Sequence, residues 1–145
     1  MNTLLSGTCV RIIELVTNCV VRLRAAEERY GTADLTITLL LSHLSTLKAA
    51  LSQLQIWVAS TSFLSSQHYQ LIMDVDAALS CCHLLIGVLD ARISELDWDG
   101  ENEMDFKSKA KLVLNHRVTK ECVGHLSHQT IAFSLLLNAF QWYEK

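Results

Sequence analysis

No proline interrupts the 145 residues, and the aliphatic side chains recur at helical spacing. Leu40, Leu44, Leu47, Leu51, Leu54 and Val58 advance by alternating fours and threes. So, with one extra four, do Leu71, Val75, Leu79, Cys82, Ile86, Leu89, Ile93 and Leu96. A 3.5-residue repeat keeps such side chains on one face of a helix, where they can zip against a neighbour. Seams this long need partners of similar length, and a chain without proline has no residue that must break them. The pattern therefore predicts an all-α, multi-helix bundle with a single domain over residues 1–145.

The partners that composition excludes are as informative as those it allows. The formal net charge is -3, with no basic stripe interleaved with aromatics, so a nucleic-acid partner has no electrostatic footprint. Hydrophobic residues make up 50% and charged residues 19%, below the usual quarter or so, which fits a full core with apolar residues to spare for a partner or a membrane. The five cysteines have no regular spacing, and Met1 to Thr8 lacks a basic leader. A reducing cytoplasmic location is expected, with Cys9, Cys19, Cys82 and Cys122 as small core residues. Ala49–Met73 and Cys122–Tyr143 contain no Asp, Glu, Lys or Arg. Both exceed the roughly 20 residues of a membrane span, but Ser, Gln and His stud them, and neither reads as a constitutive transmembrane helix.

Along the chain, a first helix is predicted over residues 3–30, with Leu5, Cys9, Ile12, Val16, Cys19, Leu23 and Ala26 facing inward. Val10, Ile13, Val20 and Val21 lie on its other faces. Gly31 and Thr32 suit a helix stop and the next N-cap, making an antiparallel hairpin. A second helix over 33–59 is followed by a hydroxyl-rich loop, Ser60–Ser66, in which Ser65 or Ser66 can cap a third helix reaching Leu96. An acidic connector, 97–105, leads to a short helix over 106–114, a break at Asn115 and His116, and a last helix over 117–143. The expected architecture is three long antiparallel helices, one short helix and a long, largely central C-terminal helix. The central position follows from the charge-free Cys122–Tyr143 stretch of the last helix, since a solvated face normally carries Lys and Glu.

No constellation carries catalysis. Cys122, His125 and His128 spread over about 120° of helical arc and lack the spacing of a zinc motif, so no metal site is assigned. The connector fails as a calcium loop, because Asn102 and Ser108 stand where Gly and Glu are required after Asp97. There is no phosphate-binding Gly-rich loop and nothing that positions a triad, so neither a cofactor nor enzyme activity is expected.

Four stretches carry a family resemblance: the opening helix through Val20-Val-Arg-Leu-Arg24; Ala33 through Leu51; Cys82-His-Leu-Leu-Ile-Gly-Val-Leu-Asp90; and Lys109-Ala-Lys-Leu-Val-Leu-Asn115 running into the Leu126–Leu137 helix. In these the chain resembles the HeLo-like N-terminal domain of fungal STAND proteins, the NOD-like receptor ATPases. The resemblance implies a cell-death effector of innate immunity that oligomerises with itself and targets the plasma membrane. Nucleotide-binding and repeat domains would then follow in the full-length protein. The residues matching the membrane-targeting stretch are Leu4, Leu5, Val10, Ile13, Val16, Val20 and Val21. Arg11, Glu14 and Arg22 interrupt it, which favours an oligomer with a polar-lined interior over a lone spanning helix. The alternative is a non-lytic interaction module that recruits a downstream partner.

Overall fold

The computed structural model describes residues 2–30, 35–60, 69–96 and 103–144. They form five helices: α1 (Asn2–Tyr30), α2 (Leu35–Ser60), α3 (Tyr69–Ser94), α4 (Glu103–Leu114) and α5 (Arg117–Glu144). The described residues contain no strand. The proposed caps at Gly31, Thr32, Ser65 and Ser66, the loop over 61–66 and the connector from Asp97 to Asn102 lie outside the described residues.

The four long helices stand at the corners of a square. α1 packs on α2 and α3, and α5 packs on the same two, so α1 and α5 lie on one diagonal. Helix directions follow from side-chain contacts. Gln55 near the end of α2 donates to Ser6 near the start of α1, so these two run antiparallel. Arg22 of α1 pairs with Asp90 of α3, both late in their helices, so these run parallel. Cys122, early in α5, donates to the carbonyl of Leu85, late in α3, so that pair is antiparallel. Trp57 stacks on Phe140 with ring centroids 3.5 Å apart, joining the late turns of α2 and α5. α4 touches α1, α3 and α5 and closes one end of the square.

The heptad seams fill the middle. All seven inward residues of α1, from Leu5 to Ala26, are buried, as are Leu40 through Val58 of the α2 seam. On α3 every seam residue is buried except Leu71, which is half-buried against the core. One continuous hydrophobic cluster draws on all five helices. Burying a Leu- or Ile-sized side chain is worth about 1.5–3 kcal/mol, so this cluster dominates the stability.

α5 is not central. It buries one stripe, Cys122, Leu126, Phe133 and Phe140, while Ile131 and Leu135 on the opposite side are 59% and 64% exposed. Four helices of matched length, each presenting one apolar stripe, fill the space between them and leave no room for a helix at the axis. The absence of Lys and Glu from Cys122 to Tyr143 of α5 therefore marks an outward face of Gly, His, Asn and aliphatic residues. α4 begins at Glu103, earlier than the acidic pattern suggested. The break at Asn115 and His116 is capped by a side chain: the backbone N–H of Val118 donates to His116 Nδ1 at 3.1 Å, taking up one orphan donor of α5. The buried Thr119 hydroxyl donates to the Val113 carbonyl at 2.8 Å and ties α4 to α5 across this break.

Candidate functional site

α1 is the element to which the apolar pattern assigns function, and its corner position splits the seven candidate residues. Leu4, Val10 and Val21 are exposed at 67%, 40% and 60%. Ile13 and Val20 are half-buried and packed against the core. Leu5 and Val16 belong to the core itself. The expectation that Ile13 and Val20 are peripheral is thus corrected: they sit beside the inner stripe, at the edge where the helix meets its neighbours. Leu4, Val10 and Val21 are the side chains available without disturbing the bundle.

Polar contacts near both ends of α1 hold it in place beyond its buried stripe. The Arg22 guanidinium donates through Nη1 to Asp90 Oδ1 at 2.9 Å and to Ser94 Oγ at 2.8 Å. The buried Cys19 thiol leans on the same carboxylate oxygen at 3.8 Å. At the other end, Gln55 holds Ser6 at 3.4 Å. The hydroxyls of Thr8 and Thr17 donate back to the carbonyls of Leu4 and Ile13, at 2.9 and 2.8 Å. Hydroxyls satisfied within their own helix are cheaper to take out of water.

Charge is segregated along the bundle. Arg22, Arg24, Glu27 and Glu28 end α1; Asp90, Arg92 and Glu95 end α3; Arg117, Lys120 and Glu121 begin α5. The helix directions bring all three groups to the end that α4 closes. Among the described side chains toward the opposite end, the charged groups include Arg11 and Glu14 of α1 and Asp74 and Asp76 of α3. Between them, the outward faces of α2, α3 and α5 expose Ile56, Leu84, Ile131 and Leu135 without adjoining Lys or Glu on the same face. Among the described residues three helices, over Leu4–Glu28, Leu35–Ala59 and Tyr69–Ser94, are long and apolar enough to cross a membrane, and 28% of the most apolar 18-residue window in each is buried in the bundle. This span over α1–α3 was not signalled by the charge-free runs, which centred on the α2–α3 junction and on α5.

The thiols and imidazoles fall apart as a metal constellation. Cys122 points inward to the Leu85 carbonyl, while His125 and His128 are exposed with ring centroids 6.4 Å apart. Among the described residues no three His, Cys, Asp or Glu side chains converge as a metal would need. Burial pushes the Cys19 and Cys82 thiols up to about 12 and Cys9 to about 11, which holds them as protonated, unreactive core residues. Sequence reasoning also missed a half-open cavity where the start of α2 meets the α4–α5 junction. Its lining comes from three helices that are far apart in sequence, so no local pattern could mark it. Comparison of the chain with family models, curated proteins and solved structures returns no match.

Proposed function

We propose that this bundle is a membrane-targeting effector domain, stored as a folded helical square and activated by self-association. The observation that carries the proposal is α1: a helix of 29 residues, apolar enough to cross a bilayer, placed at a corner with Leu4, Val10 and Val21 outward. At about 1.5 Å per residue its length exceeds the ~30 Å hydrocarbon core. The HeLo-like resemblance supplies the biological setting: a cytoplasmic domain of a fungal NOD-like receptor, recruited to the plasma membrane in programmed cell death.

Magnitudes set the activation mode. Removing α1 from the square exposes its seven buried residues, Leu5 through Ala26, at a cost on the order of 10 kcal/mol. That rivals the entire ~5–15 kcal/mol stability of a typical domain. A lone copy therefore keeps α1 docked, and release requires lipid or neighbouring copies to cover the stripe again. Arg11, Glu14 and Arg22 oppose a solitary span and suit an oligomer that turns them toward a polar interior.

The test is dye release from anionic liposomes by the chain alone and by the chain clustered on a fused trimeric coiled coil. The clustered form is expected to release dye and the monomer to be inert. Val10→Glu with Val21→Glu should leave helical circular dichroism and melting nearly unchanged, because both side chains are exposed. It should abolish release, since each carboxylate held in the bilayer costs about 2–3 kcal/mol. Release by the double variant equal to wild type rejects the α1 mechanism. Failure of the clustered wild type to bind liposomes favours the second reading, a non-lytic module whose uncharged α3 and α5 faces, with Leu84, Ile131 and Leu135 exposed, seat protein partners instead.

A further inference from the structure

A cavity of about 300 Å³ opens between the start of α2, the end of α4 and the first turns of α5. Its apolar lining is Leu39, Leu40, Leu114 and Val123. Leu40 and Leu114 are buried, so this surface is built into the core rather than draped over it. The polar lining is Thr36, His43, Asn115 and Lys120, and among the described residues no acidic side chain contributes to the wall. In a chain of net charge -3, a wall whose described residues supply one cation and no anion selects for a negative group. Thr119 also lines the cavity, but its hydroxyl is committed: it donates to the Val113 carbonyl and accepts from Arg92 Nε at 3.4 Å. His43 meets Ser127 through Nδ1 at 3.4 Å, which leaves Nε2 as the ring nitrogen a ligand would engage.

We propose that this cavity binds a small amphipathic monocarboxylate of medium chain length. The carboxylate pairs with the Lys120 ammonium, within reach of His43 and the Asn115 amide, and the hydrocarbon lies along Leu39, Leu40, Leu114 and Val123. A single lysine matches a single negative charge; a phosphate dianion would call for more donors than this wall provides. The volume sits at the lower end of the ~300–1,000 Å³ range of ligand sites, which admits a medium-length chain and excludes a nucleotide or a long acyl tail. The site lies at the charged end of the bundle and is independent of the outward residues of α1. A ligand there bridges α2 to the α4–α5 junction, so it stabilises the folded square.

Isothermal titration calorimetry of the purified chain with octanoate, below its micellar range, tests this against octan-1-ol and acetate. Octanoate should bind saturably at one site per chain, with octan-1-ol and acetate at least about tenfold weaker. Lys120→Glu should weaken octanoate at least about tenfold, and Lys120→Arg should retain it. Leu39→Gln should weaken octanoate and octan-1-ol alike. Lys120 and Leu39 are both exposed, and melting curves of the variants confirm that the fold persists. Lys120→Gln repeats the test should the charge reversal lower the melting temperature. Octanoate binding that matches octan-1-ol, that survives both Lys120→Glu and Leu39→Gln, or that exceeds one site per chain without saturating overturns the proposal, as does an absence of binding.

Discussion

Cys19 shows how this core treats a group able to ionise. Burial raises its thiol from an ordinary 9.0 to about 12, and the neighbouring Asp90 carboxylate adds to the rise. Burial does the same for Cys82, to about 12, and Cys9, to about 11. The folded state thus holds protons that the unfolded chain releases near 9. The stability these thiols contribute is complete below that value and is lost as pH climbs through 9 toward 11–12. The urea midpoint is expected to be flat from pH 7 to 8.5 and to fall above pH 9, with a smaller fall in Cys19→Ala. An equal fall in both proteins would assign the alkaline loss to other groups. The assignment of Cys9, Cys19, Cys82 and Cys122 to the core was legible from their place on apolar stripes. Trp57 was not: it lies one position off the α2 seam and is buried because Phe140 stacks on it from α5. Such a pairing depends on a partner more than eighty positions away.

At the scale of the element, stripe positions were legible along α1, α2 and α3, because a one-faced helix must turn that face toward the others. Helix ends were less so. α4 starts at Glu103 because its acids extend the helix as first-turn residues instead of preceding it as a cap. The glycines give the sharpest test at this scale. Gly87 in α3 and Gly124 in α5 sit inside helices, and a Cβ built on either meets nothing within 4 Å. Neither is needed for packing within one copy, yet each costs its helix about 0.5–1 kcal/mol relative to alanine. Gly87→Ala is therefore expected to stabilise the isolated chain by that amount, read as a higher urea midpoint with an unchanged slope. A lower midpoint would mean that α3 meets a neighbour more closely than the monomer allows.

For the whole molecule, the decisive feature is how α1 is retained. Its stripe is shared with α2 and α3, and its principal charged clasp is Arg22 on Asp90, both partly open to water. A pair this exposed is worth no more than about 1 kcal/mol. Asp90→Ala should then barely lower the melting temperature, since the stripe does most of the holding. It should still make the clustered chain about fivefold more potent in liposome release, the ratio that about 1 kcal/mol produces. Unchanged potency would place the barrier wholly in the apolar stripe. The same scale decides the orientation of charge. Ion-rich segments at the end of α1, the end of α3 and the start of α5 are scattered in the chain, and the alternating helix directions gather them at one end of the bundle.

The chain by itself determined its class, the length of its long helices and the stripes that α1, α2 and α3 bury, because these follow from local periodicity and from the absence of proline. The same periodicity marked α1 as apolar beyond its stripe, and so marked the candidate surface, though not which of its seven residues are free to meet a partner. Only the tertiary structure decided that α5 is a corner and not an axis, that Ile13 and Val20 face the core's edge while Val10 and Val21 face out, and that a cavity opens beside Lys120. Those outcomes depend on which helices become neighbours. A stripe states that a face must be covered; the identity of its cover is set by the packing of all the stripes at once.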